Sequence, residues 1–193
     1  MRTYRARSSY VWGWLAVATG IGIAATAGVG SVNAAVGLGA AIAAAGIAAF
    51  LRPRVAIADD HVEVRNIVTT DSMPFARLAR VETRWSLELV GDDDRTVGAF
   101  AAPAPGALQS VRLRRDAATT GDSATAAGGA GELPGTPSGD SAAMVREAWE
   151  AWRGAHPDAA ADATGASSRR TVDPLGAALV ALAVAGVAWL IFG

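Results

Sequence analysis

The sequence predicts a membrane α-helical protein, built from a hairpin of two transmembrane helices plus one C-terminal transmembrane helix, with a small α+β domain of antiparallel sheet capped by a helix. Three observations predict this. Residues 11–51 carry no charged side chain, and residues 175–193 carry none either. From Arg54 onward, apolar residues recur with a period of two, which is the period of a half-buried strand. The chain is 51% hydrophobic and only 18% charged, so much of its apolar surface needs lipid rather than a water-soluble core.

Residues 1–10 read as a basic N-terminus with Arg2, Arg5 and Arg7. In the hairpin, 11–29 and 32–51 are each long enough at about 1.5 Å per residue to cross a hydrocarbon layer of roughly 30 Å. Only Gly30-Ser31 separates them, with Asn33 just beyond, so the two helices must be antiparallel neighbours. Ala and Gly dominate both, and such residues gain little from insertion alone. Packing between helices has to supply the rest. Small residues recur every four positions, as Gly20, Ala24 and Gly28 and as Gly37, Ala41, Ala45 and Ala49, a spacing that lets helix backbones approach closely. A cleaved signal peptide ending near Val32-Asn33-Ala34 is the competing reading, but its apolar region is too long and a second apolar run follows at once.

Residues 52–116 read as a β domain. Val55 and Ile57, then Val62 and Val64, alternate about an Asp59-Asp60 turn. Trp85, Leu87 and Leu89 alternate with Ser86, Glu88 and Val90, with Val81 and Thr83 extending the strand backwards. Gly91 and Asp92-Asp93-Asp94 form the next turn, and 96–101 return. Pro74 lies between the two hairpins and suits a strand end. The stretch 106–115 is open between edge strand and short helix. Residues 117–140 are poor in bulky apolar residues and predict a disordered linker. Residues 141–153 predict an amphipathic helix with Val145, Ala148, Trp149 and Trp152 on one face, capped by Asp140 or Ser141 and ended by Gly154 and Pro157. A second linker, 154–174, leads to the third span, 175–193.

A strand pair after a membrane hairpin, followed by "MPFARL" and by "VETRWSLELVGDDDRTVGAF", is similar to the small bacterial PH-like domains found in membrane proteins of GC-rich bacteria. The resemblance covers about 52–102. It implies a PH-like sheet closed by a C-terminal helix, usually without assigned catalysis.

Charge decides sidedness and removes one class of partner. Arginine flanks the spans only on one side, at 2, 5 and 7, at 52 and 54, and at 169 and 170. The positive-inside rule then makes the N-terminus and the PH-like domain cytoplasmic and the C-terminus extracytoplasmic. Residues 52–173 hold 14 arginines against 18 acidic residues, whereas a nucleic-acid binder shows a basic excess. With no cysteine in the chain, disulfides and thiolate metal sites are excluded.

No enzyme signature assembles. His61 and His156 lack a second ligand at metal spacing, the Asp92-Asp93-Asp94 run lacks the rest of a calcium loop, and no cofactor or metal is expected. One binding constellation stands out. Arg77, Arg80 and Arg84 form a possible lipid-contact set, each worth about 1 kcal/mol near anionic headgroups, with Glu82 and Glu88 near enough to neutralise it. The leading expectation is a non-enzymatic integral membrane protein that displays its domain as a protein-interaction scaffold. Its rivals are an accessory subunit of a membrane transporter or cell-envelope enzyme, and an anionic-lipid sensor.

Overall fold

The computed structural model describes residues 2–26, 32–103, 132, 135–157 and 167–192. The expected turn at Gly30-Ser31, the stretch 106–115, most of the linker 117–140 and residues 158–166 of the linker 154–174 lie outside the described residues. In chain order the elements are β1 (Arg2–Tyr4), α1 (Arg7–Ala25), α2 (Val32–Gly46), a π-helical turn (Ile47–Leu51), β2 (Arg54–Ile57), β3 (His61–Arg65), β4 (Thr69–Pro74), a 3-10 turn (Phe75–Arg77), β5 (Leu78–Glu82), β6 (Ser86–Gly91), β7 (Thr96–Pro103), α3 (Pro137–Ala155), β8 (Arg169–Val172) and α4 (Pro174–Phe192). Two units emerge, one of strands with α3 and one of apolar helices.

The strand unit follows from the alternation. Val55 lies opposite Val64 and Ile57 opposite Val62, so the four apolar side chains of the first hairpin share one face. All four are buried, as are Met73, Phe75, Leu87 and Leu89. Strand order is β1-β2-β3-β4-β8 in one sheet and β5-β6-β7 in the other. Inward residues of both sheets join Ala142 and Val145 of α3 in one core, with Trp149 and Trp152 partly buried at its margin. The face predicted for this helix is the one that packs.

Four features differ from the expectation. Residues 2–4 of the basic N-terminus form β1, antiparallel to β2 with Tyr4 opposite Val55. The strand read through Val81 and Thr83 into Trp85 instead reverses at 83–85, so β5 and β6 are separate and antiparallel. Helix α3 begins four residues early, because Thr136 Oγ1 accepts from Gly139 N at 2.9 Å and Pro137 occupies the first turn. Within the second linker, 169–172 form β8.

In the helical unit, all three helices are long and apolar enough to cross a membrane. Small residues set how closely they approach. A Cβ on Gly39 would run into the Gly20 carbonyl and come within 2.9 Å of Ala24 Cβ, while one on Gly186 would lie 2.9 Å from Ala41 Cβ. Contacts of Gly20 with Gly39 and of Ala16 with Gly46 make α1 and α2 antiparallel. Helix α2 is therefore central: Gly39 and Gly46 serve α1, whereas Gly37 and Ala41 of the predicted four-residue stripe serve α4.

Two outcomes follow. Replacing Gly39 by Val overpacks the α1–α2 contact and costs about 1–3 kcal/mol, read as a lower unfolding midpoint in detergent. Gly22, whose added Cβ would meet nothing within 4 Å, tolerates the same change, and equal losses at both sites would contradict the packing. Separately, burial, helped by Asp140, pushes the Tyr4 phenol up to about 12 from 10.0. A raised folded pKa means that this contribution to stability is complete below pH 10 and is lost as pH rises through 12. In a Tyr10→Phe protein, where Tyr4 is the last tyrosine, phenolate absorbance is expected with a midpoint near 12, and a midpoint near 10 would show β1 undocked.

Candidate functional site

The three arginines singled out from sequence occupy different surroundings. Arg77 closes the 3-10 turn, and its Nε donates to Asp92 Oδ1 at 2.7 Å while Nη2 lies 3.6 Å from Asp93 Oδ2. The acidic turn before β7 thus serves as the counter-charge of Arg77, and Asp92 N donates to Arg77 O at 2.9 Å. Arg80 Nε sits 2.6 Å from Glu82 Oε1. Arg84 lies exposed in the β5–β6 turn, next to Trp85, which is 78% exposed. Because Arg77 precedes β5 and Arg84 follows it, five strand residues at about 3.3 Å each hold them roughly 17 Å apart. They are spread along β5 rather than gathered at one point.

A better-formed concavity lies between the 3-10 turn and the C-terminal half of α3. Phe75, Ala76, Leu78, Trp149, Trp152 and His156 line a cavity of about 710 Å³. A second hollow of about 350 Å³, with Ile57, Asp59 and Ala151 in its wall, lies on the other side of Trp152. Helical spacing puts Trp149, Trp152 and His156 along one side of α3, and Pro74 turns the chain so that Phe75 meets them. Trp149 Nε1 donates to Phe75 O at 3.2 Å, which satisfies the indole polar atom and leaves its ring as apolar wall. The Phe75 and Trp152 rings are 6.0 Å apart, and His156 stacks on Trp152 at 5.0 Å. Arg153 lies over the Trp149 ring, 5.0 Å from its centre, a cation–π contact. The wall therefore joins aromatic rings with the charged side chains of Glu150 and Arg153, and the cavity is open to solvent.

Sequence reasoning weighed Trp149 and Trp152 as core and took a helix-to-sheet packing role for them. Packing is what their inner edges do, and their outer edges line the cavity. What periodicity could not reveal is Phe75 beneath them, which comes from a turn.

The hydrogen bond from His61, at 2.6 Å, holds the Asp60 carboxyl below its usual value, and both groups lie in the β2–β3 turn. Asp71 is buried, with Arg95 Nη2 at 3.7 Å and Arg170 Nε at 3.5 Å, and Arg95 also donates to the Ser168 carbonyl at 3.1 Å. This network ties the chain before β8 to β4. Among the described residues no group of three His, Asp or Glu side chains is arranged to hold a metal.

Comparison with known families matches residues 52–131 to the family described as Bacterial PH domain. Neither curated proteins nor solved structures give a match. The matched segment begins two residues before β2 and contains β2 to β7, which are the strands that build the core. That match, with the strands β2 to β7 that its described part 52–103 contributes to the two sheets, identifies this segment as a small bacterial PH-like domain.

Proposed function

We propose that this protein is a non-enzymatic integral membrane protein that presents its PH-like domain at the cytoplasmic face as a protein-interaction module. The observation that carries the reading is the aromatic cavity along Trp149, Trp152 and Phe75, which offers a partner pre-formed apolar surface. Arginine at 2, 5 and 7, at 52 and 54 and at 169 and 170 supports cytoplasmic placement. Tethering a module beside the bilayer raises its effective concentration toward membrane partners. The small residues that an accessory subunit would use for contacts between proteins are largely engaged within the chain, Gly20 with Gly39 and Gly37 with Gly186. That favours the domain over the helices as the docking part.

A photo-crosslinking residue placed at Ala76 or Glu150 of the full chain in cells is expected to give a discrete protein adduct, and one at Glu88 on β6 none. Trp152→Ala is expected to reduce the adduct more than about tenfold, since loss of a Trp anchor commonly costs about 2 kcal/mol or more. Equal adducts at Glu88, or none at the cavity, would contradict the reading.

Exposed Arg84 and Trp85 support a second reading, contact with anionic lipid, because a cation beside an exposed indole suits a headgroup region. Hydrogen exchange at 83–86 is expected to slow in nanodiscs containing anionic lipid relative to zwitterionic ones. Unchanged exchange would dismiss it.

A further inference from the structure

We infer that Arg52 and Asp173 are a positioning pair whose buried ion pair locks α4 against the end of α2 and fixes where the third apolar helix begins. Arg52 directly follows the π-helical turn, and its amide donates to Ile47 O at 3.1 Å, five residues back. That wider turn sets the direction in which the side chain leaves the helix. The guanidinium reaches Asp173 Oδ2, and the two side chains are 11% and 9% exposed. Arg52 Nε is buried with no hydrogen-bond partner among the described residues, so the carboxylate is what compensates this charge.

The other carboxylate oxygen has a separate task. Asp173 Oδ1 accepts from Leu175 N and Gly176 N, each at 3.1 Å, and so caps α4. Pro174 occupies the first helical position, where the missing N–H leaves nothing unsatisfied. Asp173 N donates to Val68 O at 2.8 Å, and Gly176 packs so closely on the Ile67 carbonyl that no side chain fits there. Three segments, the end of α2, the β3–β4 loop and the start of α4, therefore meet at one acidic residue. A neutral cap would satisfy the helix but leave Arg52 as an uncompensated buried charge, which is strongly unfavourable. The Gly37–Gly186 contact continues the same α2–α4 seam further along.

The seam itself supplies the test. A Cβ built on Gly37 lies 3.8 Å from Trp189 Cβ, within the range that a disulfide spans, and the chain has no cysteine of its own. Gly37→Cys with Trp189→Cys in the membrane-embedded full chain is expected to crosslink on mild oxidation, read as loss of thiol labelling after denaturation. Failure of this parent to crosslink would overturn the inference. Asp173→Asn retains a capping oxygen and removes only the charge, and Arg52→Gln removes its partner. Each is expected to slow the crosslink at least fivefold, and the double variant is expected to be no slower than the slower single, because no unpaired charge remains buried. Parental rates in the singles, or a double slower than both, would overturn the pair's role. Should a single variant fail to accumulate, accumulation and crosslinking of the double supports the pair, and its absence overturns it.

Discussion

The outward apolar side chains of the three long helices are left uncovered by the other described residues, and the packing between those helices is the constraint from which the rest is best understood. Trp12, Trp14 and Ile21 on α1 and Val184, Trp189 and Ile191 on α4 are all exposed. Apolar surface on this scale is unfavourable in water by about 25 cal/mol per Å², whereas in lipid it needs no cover and the helices satisfy their own backbone. Lipid gives no hydrophobic drive for helix to meet helix, so the contacts depend on backbone proximity. Glycine and alanine do fill α2 on the two sides where α1 and α4 meet it, as close backbone approach requires.

Short links carry this constraint into the PH-like domain. Two residues separate β1 from α1, two separate the π-helical turn from β2, and Asp173 alone separates β8 from α4. The α1–α2 hairpin is inserted between two strands that pair with each other, so β1 belongs to the domain although it precedes the first helix. Tyr4 joins the domain core and Arg2 reaches Glu147 of α3 at 3.0 Å. An isolated fragment starting at Arg52 would lack this edge strand. The arginines of the domain mostly find acids nearby, Arg77 in the Asp92-Asp93 turn and Arg95 at buried Asp71, which fits a near-neutral net charge of -1.

The β2–β3 hairpin and the packing face of α3 were legible because local periodicity alone specifies them: Val55, Ile57, Val62 and Val64 alternate, and Val145, Ala148, Trp149 and Trp152 fall on one stripe. β1 and β8 were not, since Arg-Thr-Tyr and Arg-Arg-Thr-Val have too few apolar residues to alternate and become strands only by pairing with a distant neighbour. The reversal at 83–85 was hidden because Thr-Arg-Trp offers none of the usual turn residues. The cavity was partly legible in its two tryptophans, whereas Phe75 joins them from 74 residues away. Asp173 before Pro174 carried a readable helix-start signal, but its partner Arg52 is 121 positions distant and only the tertiary fold brings them together.

The proposed arrangement has three helices in lipid hold the PH-like domain on the cytoplasmic side, with the C-terminus on the other. Because the chain has no cysteine, single replacements report location cleanly. In cells treated with a membrane-impermeant maleimide, Gly193→Cys is expected to label in intact cells and Ser86→Cys only after permeabilisation. Labelling of Ser86→Cys in intact cells, or recovery of the chain in the soluble fraction after an alkaline wash, would contradict the account.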